Sequence, residues 1–229
     1  MRPATKARWL NDREWQIATA VFRSNLPFRR RILVTDACGI GNAPFTIPSA
    51  ALHAVPAIIA AAISGAAAGL AGRIAAPLDW VGSIVGGISN VTGILPSVHQ
   101  IAAPFQVASV VSPLYFVNVG PTPYPDMAAG YGSLLVHELT HVWQGHSSVF
   151  ALSYVINSAF HQCRGSARGG GRGAAYDYSP GLPWRAYNAE QQAEIVEDWY
   201  EAGMPESGEL WRYIRNNVRL GFIGDHLPV

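Results

Sequence analysis

The chain has 229 residues, of which 49% are hydrophobic and only 14% carry a formal charge. This length fits one domain with a sizeable core. The formal net charge is +1, which excludes a strong electrostatic attraction to nucleic acid or to an acidic substrate, because both need a basic excess. Seven tryptophans and nine tyrosines indicate an ordered, packed protein.

The two cysteines, Cys38 and Cys163, form neither a CxxC pair nor a zinc-ligand spacing. They are interpreted as buried thiols, with a single disulfide as the alternative if the chain leaves the reducing cytosol. The amino-terminal segment MRPATKARWLNDREW lacks the apolar stretch and cleavage site of a secretory signal. We therefore expect a cytoplasmic protein, or one exported by a route that needs no such peptide.

The first predicted elements are one helix and two short strands. Residues 7–24 have the apolar spacing of an amphipathic helix, with Asn11 or Asp12 capping its main part. After Arg29, Arg30 and Arg31, which are interpreted as solvated, the run ILVTD predicts a strand. The segment GIGNAPFTIP places turn residues around a second extended piece.

Residues 49–111 have a different composition from the rest of the chain. Two weakly apolar runs, Ala54 to Gly72 and Trp80 to Val98, are rich in alanine and glycine, and each contains a GxxxG. Small residues four apart let two helices approach closely, so an inserted helical hairpin is predicted. Each run is close to the ~20 residues that span a bilayer. Alanine and glycine supply little transfer energy, so packing against the protein is favoured over membrane contact through residues 54–98.

The remaining elements are a strand and three helices. Residues 112–121 (SPLYFVNVGP) predict a strand, and a helix is expected from about Met127 to Gln144. A further helix begins after Asn188, a natural N-cap, with Gln191 completing a capping-box pattern. The tail ELWRYIRNNVRLGFIG predicts a last amphipathic helix that ends at glycine.

The segment LLVHELTHVWQGH contains the pattern HExxH at His137, Glu138 and His141. On a helix, histidines four residues apart project from one face and can bind one metal ion. Glu138 lies beside them, where it can reach a metal-bound water rather than the metal and act as a general base. The pattern therefore predicts one zinc ion per chain, with His137 and His141 as ligands and Glu138 as the catalytic residue.

A catalytic zinc usually has a third protein ligand. The pattern HExxHxxGxxH does not supply it, because Gln144 and Ser147 stand where glycine and histidine are needed. The better source is the predicted helix after Asn188, which carries acids at helical spacing: Glu190, Glu194, Glu197 and Glu201.

We assign Glu190 as the third metal ligand and Glu194 as the acceptor of a hydrogen bond from a ligating imidazole. Glu194 as ligand with Asp198 behind it is the alternative, whereas Glu197 and Glu201 are interpreted as an ordinary solvated face. The residue that stabilises the oxyanion is left unassigned. Its unranked candidates are Tyr187, Tyr200, Tyr213 and His226.

HELTH followed at a distance by NAEQQAE resembles the gluzincin branch of the zincin metallopeptidases. The order PFT, YFVNVG, LLVHELTHVWQ, YNAEQQAEIVEDW is similar to small bacterial zincin-like proteins found beside, or fused to, Rhs and Vgr components of secretion and toxin systems. The match covers residues 28–47 and 112–201. The long insertion departs from the pattern, and Glu194 stands where the larger gluzincins often have Asp. The resemblance implies a compact zincin fold, zinc and peptide-bond hydrolysis.

These observations predict a single α+β domain over residues 1–229, with a small sheet packed on the HExxH helix. The expected function is a zinc metallopeptidase that acts on proteins or peptides, with a secretion-system component or an immunity protein as a further partner. Two alternatives stay open. One is a membrane-active or binding protein in which residues 54–98 act and zinc is structural; the other is a hydrolase of a non-peptide amide, such as a peptidoglycan cross-link.

Overall fold

The computed structural model describes residues 6–37, 44–49, 114–147 and 176–221. In these ranges the chain has four strands and four α-helices, so the predicted α+β class is confirmed. The strands are β1 (Ala7–Trp9), β2 (Ile32–Thr35), β3 (Phe45–Pro48) and β4 (Tyr115–Asn118). The helices are α1 (Asp12–Phe22), α2 (Gly132–Ser147), α3 (Ala189–Glu201) and α4 (Gly208–Tyr213).

The four strands form one sheet in the order β1-β2-β4-β3. The central pair β2 and β4 is parallel, and each edge strand runs antiparallel to its neighbour. Every residue of β2 and β4 is buried, which explains why the sequence shows continuous apolar runs there rather than alternation. The strands predicted from ILVTD, PFTIP and YFVN are all confirmed.

The predicted helix over residues 7–24 begins only at Asp12. Its N-cap is Asn11, whose side chain accepts from the backbone N–H of Glu14, while the Glu14 carboxylate accepts from the backbone N–H of Asn11. This reciprocal capping box sets the first helical turn. The prediction was wrong for Ala7–Trp9, which form β1 because their backbone pairs with β2.

Helix α2 begins at Gly132, five residues later than the sequence pattern predicts, and continues to Ser147. One hydrogen bond and one backbone angle accompany this later start. The backbone N–H of Met127 donates to the buried carboxylate of Glu14 (2.8 Å), and Gly130 has φ +92°, which a right-handed helix does not admit. The helix is buried along most of its length and packs on α1, α3 and β3.

The carboxyl-terminal part contains the remaining helices. The capping box predicted at Asn188 is present: its side chain accepts from the backbone N–H of Gln191, and the Gln191 side chain accepts from the backbone N–H of Asn188. The helix predicted from ELWRYIRNNVRLGFIG is shorter than expected, because α4 passes into a π-helical segment, Ile214–Val218.

The predicted insertion leaves the sheet between β3 and β4. Its two ends are held together, since the backbone N–H of Ser49 donates to the carbonyl of Leu114 (2.7 Å) and the N–H of Leu114 donates to the Ser49 hydroxyl (3.1 Å). Residues 50–113, Cys38 and Cys163 lie outside the described residues. Within the described ranges, no helix combines the length and apolar character needed to cross a membrane.

Candidate metal centre

Three side chains converge between α2 and α3. The Nε2 atoms of His137 and His141 each lie 3.4 Å from Oε2 of Glu190. The two imidazole rings stand edge to face, with centroids 5.1 Å apart, and all three residues are buried. Imidazole nitrogen and carboxylate oxygen are common ligands of divalent metals. The group formed by His137, His141 and Glu190 can therefore hold a metal ion.

Local structure explains this convergence. His137 and His141 are one helical turn apart on α2, so their rings point the same way. Glu190 lies in the first turn of α3, directly after the Asn188 capping box. A negative side chain is stabilised at that end of a helix by the peptide dipoles. The close packing of α2 on α3 then brings the acid to the two imidazoles.

The His141 imidazole is oriented by a buried glutamine. Nδ1 of His141 lies 2.9 Å from Oε1 of Gln144. The Gln144 amide nitrogen donates to the carbonyl of Ala189 (2.9 Å) and to Oε1 of Gln192 (3.0 Å). Because carbonyl oxygens only accept, these bonds fix which end of the amide faces His141. In the neutral imidazole the proton therefore sits on Nδ1, and Nε2, which lies 3.4 Å from Oε2 of Glu190, is the atom that can act as a metal ligand.

The His137 imidazole is oriented by an acid, but not by the one the sequence analysis chose. Its Nδ1 donates to Oε2 of Glu197 (2.8 Å), whereas Oε2 of Glu194 is 3.9 Å away. The interpretation of Glu197 as a solvated residue was wrong, since only 22% of its side chain is exposed. Glu197 lies seven residues after Glu190 and therefore projects from the helix within about 20° of the same direction. Glu194, four residues after Glu190, is rotated from that direction by about 40°.

The other acids of α3 take different positions. Glu194 belongs to a second group that can hold a metal ion, with Glu197 and Nδ1 of His137, and not to the group built on both histidines. Asp198, the alternative partner behind Glu194, accepts a hydrogen bond from the hydroxyl of Tyr178 (2.6 Å). Glu201 is exposed, as the sequence analysis expected.

Glu138 points from α2 towards the sheet and has only 3% of its surface exposed. Its Oε2 accepts a hydrogen bond of 2.7 Å from the hydroxyl of Thr46 on β3. Burial raises the pKa of the Glu138 carboxyl, while the charges of His141 and His137 and the Thr46 hydrogen bond oppose that rise. The result is a buried carboxyl group with a raised pKa beside the two imidazoles.

The charges in the centre are strongly coupled. Burial alone would lower the pKa of His137, but its hydrogen bonds to Glu190 and Glu197 raise that pKa to about 10. Burial would also raise the pKa of Glu190, but the charge of His141 and hydrogen bonds to both imidazoles hold it well below its usual range. Without metal, protons on the imidazoles compensate the carboxylates, and a divalent cation would take their place.

The tyrosines named in the sequence analysis lie in other surroundings. The hydroxyls of Tyr187 and Tyr213 are 3.1 Å apart and bond to the backbone of residues 179–182. Tyr200 packs close to Gly132 at the start of α2, and His226 lies outside the described residues. The tyrosine beside a candidate ligand is Tyr176, whose ring centroid lies 5.9 Å from that of His137.

Several side chains that surround the centre were not predicted from the sequence. Gln144 lies three residues after His141, a spacing that signals a neighbour on the same helix face. Glu197 was visible as part of the acidic stripe on α3. Thr46 and Tyr176 carry no comparable signal, because a strand residue and a loop residue reach the site only through tertiary packing. The missed set is Thr46, Gln144, Tyr176 and Glu197.

Comparison with known proteins connects part of the chain to a bacterial secretion system. Over 93 residues the chain is 39% identical to the type VI secretion system spike protein VgrG2b of Pseudomonas aeruginosa strain PAO1. The matched segment covers 39% of this chain and 9% of VgrG2b, so it corresponds to a small part of that protein. No family model matches the chain, and no solved structure matches it. The chain thus shares a partial similarity with a Vgr-type spike protein.

Proposed function

We propose that this chain is a zinc-dependent metallopeptidase of the zincin type. His137, His141 and Glu190 would bind the ion, and Glu138 would act as the general base. The observation that carries the proposal is the convergence of two buried imidazoles, from the helix that carries Glu138, on one buried carboxylate oxygen of α3. Three protein ligands leave one coordination position open, as catalytic zinc sites require.

The donor set favours zinc among the common divalent ions. Magnesium and calcium prefer sites built from oxygen atoms, whereas two imidazoles with one carboxylate are typical ligands of catalytic zinc. When bound, zinc supplies Lewis acidity: it polarises a carbonyl group and lowers the pKa of a coordinated water to about 7.

The chain's own residues would then direct the proton transfers. Glu138 would accept a proton from the attacking water as the new carbon–oxygen bond forms, and would donate it to the leaving amine as the carbon–nitrogen bond breaks. Its raised pKa suits this role, because a carboxylate of ordinary acidity is a weak base. Gln144 and Glu197 hold Nδ1 of the two imidazoles, which keeps both Nε2 atoms directed at the metal position.

The partial similarity to VgrG2b supports a role in type VI secretion. We propose that the chain acts as an effector that is delivered with a spike protein and cleaves a protein or peptide substrate. A secretion-system component and an immunity protein would be its partners.

Metal analysis combined with proteome-wide cleavage mapping tests the proposal. Wild type and the Glu138→Gln variant would be compared, with Glu201→Gln as the control on the exposed face of α3. Wild type and both variants should bind about one zinc per chain, because Glu138 is not a ligand. Wild type and Glu201→Gln should create new protein termini that a chelator abolishes, and Glu138→Gln should not. Absence of zinc, or full cleavage by Glu138→Gln, would overturn the proposal.

A further inference from the structure

Thr46 is a side chain of the sheet that touches the candidate base, Glu138. It lies on the edge strand β3, opposite Val117 of β4, and is 93% buried. Its neighbour Ile47 faces the other way, into a separate apolar cluster, as strand geometry requires. The backbone ladder between β3 and β4 therefore fixes the position of the Thr46 hydroxyl relative to α2.

Among the described residues, two acceptors lie within reach of the single proton of the Thr46 hydroxyl. Oε2 of Glu138 is at 2.7 Å and the Glu138 backbone carbonyl is at 3.3 Å. A hydroxyl donates preferentially to the closer, charged acceptor. Among the described residues, Thr46 is the hydrogen-bond partner of this carboxylate. One oxygen of Glu138 is thus engaged by the sheet, which leaves Oε1 for proton transfer.

We propose that Thr46 is a positioning residue for Glu138. Its hydroxyl holds one carboxylate oxygen so that the other faces the reacting atoms, and it does so from a strand rather than from the helix that carries the ligands. A general base must lie within hydrogen-bond reach of the proton it takes, and small displacements reduce the rate strongly. This inference rests on the proposed base role of Glu138, and it adds a contribution of the sheet to the chemistry.

A kinetic comparison separates positioning from a purely structural role. Thr46→Val removes the hydroxyl at nearly constant volume, and Thr46→Ser retains it. Thr35→Val is a matched control, because the Thr35 hydroxyl is also buried in the sheet and donates to Asn118 (2.6 Å). Bound zinc per chain, thermal midpoint, kcat and KM would be measured for each variant on a peptide that the wild type cleaves.

We expect a lower kcat without a change in KM. Thr46→Val should keep about one zinc and an unchanged KM, with kcat lowered about 10- to 100-fold. Thr46→Ser should recover most of that loss, whereas Thr35→Val should lower the thermal midpoint and leave kcat unchanged. A kcat for Thr46→Val within twofold of wild type, or an equal loss in Thr35→Val, would overturn the inference.

A second measurement needs neither metal nor activity. In chelator-treated protein, Thr46→Val should lower the denaturant midpoint more in the wild-type background than in the Glu138→Gln background, because an unsatisfied buried carboxylate costs more than an unsatisfied amide. Equal shifts in both backgrounds would contradict the proposed bond. If Glu138→Gln retains cleavage, the proposed function fails. If Glu138→Gln loses cleavage but Thr46→Val does not, only the inference about Thr46 fails.

Discussion

Gln144 links His141, a candidate metal ligand, to α3, the helix that carries the candidate ligand Glu190. Its amide oxygen lies 2.9 Å from Nδ1 of His141, and its amide nitrogen donates to the carbonyl of Ala189, the residue before Glu190. The same side chain therefore contacts both the His141 ring and the first residue of α3. A change in the packing of α2 on α3 would move the ligands relative to each other.

Substitution of Gln144 tests this link. Gln144→Met keeps the volume but removes the acceptor for Nδ1 of His141 and the donor to Ala189. We expect zinc affinity to fall about 10- to 100-fold, as is typical when the partner of a ligating imidazole is lost. Competition with a chromophoric chelator measures it. The matched control is Gln16→Met on the exposed side of α1, and equal affinities for the two variants would contradict the role of Gln144.

The contributions of the α3 acids to zinc binding can be compared by replacing each glutamate with glutamine, which removes the charge. Glu197 accepts a hydrogen bond from Nδ1 of His137 at 2.8 Å, whereas the nearest oxygen of Glu194 is 3.9 Å from that atom. We expect Glu197→Gln to weaken zinc binding more than Glu194→Gln, and Glu201→Gln to leave it unchanged. Isothermal titration with zinc gives the three affinities. A larger loss in Glu194→Gln than in Glu197→Gln would restore the assignment made from the sequence.

The stability of the metal-free protein should depend on pH through His137. The pKa of this imidazole is raised to about 10 in the folded state, against ~6.5 in an unfolded chain. The folded state therefore binds the proton more tightly, and its stabilising contribution is complete below about pH 6.5 and is lost as pH rises towards 10. The loss has an upper limit of about 1.4 kcal/mol per pH unit.

Urea unfolding of chelator-treated protein between pH 6 and pH 10 measures this contribution. The difference in unfolding free energy between wild type and His137→Gln should shrink as pH rises, because only the wild type has the shifted imidazole. A difference that stays constant or grows over this range would show that His137 is not held in its protonated form by Glu190 and Glu197.

The insertion should be removable without loss of the metal centre. Its ends are hydrogen bonded to each other at Ser49 and Leu114, across antiparallel strands. Replacement of residues 50–113 by Asn-Gly, a favoured two-residue hairpin turn, should keep zinc binding, and the shorter loop costs less entropy to close. Zinc content and thermal midpoint of the shortened chain check this.

The same variant separates the two leading functions. Retained cleavage by the shortened chain agrees with a peptidase whose active centre lies in the described residues. Vesicle leakage that disappears with the insertion but persists in Glu138→Gln would instead favour the membrane-active alternative. Loss of zinc binding in the shortened chain would show that the centre depends on residues 50–113.

Local patterns in the sequence determined much of the secondary structure and the main residues of the candidate metal centre. Runs of apolar, β-branched and aromatic residues predicted the buried strands at 32–35 and 115–118. The helix with His137 and His141 one turn apart and the capping box at Asn188 follow from interactions between residues close in the chain. Such interactions are largely independent of the rest of the fold. They also pointed to Glu190, because the predicted helix after Asn188 carries acids at helical spacing.

Tertiary structure alone decided how those elements meet. The choice of Glu197 over Glu194 depends on the rotation of α3 against α2, and the bond from Thr46 to Glu138 depends on the register of β3 with β4. The strand at Ala7–Trp9 exists only because β2 offers it a backbone partner. Contacts of this kind join residues far apart in sequence, and their geometry is set by packing, which no local spacing encodes.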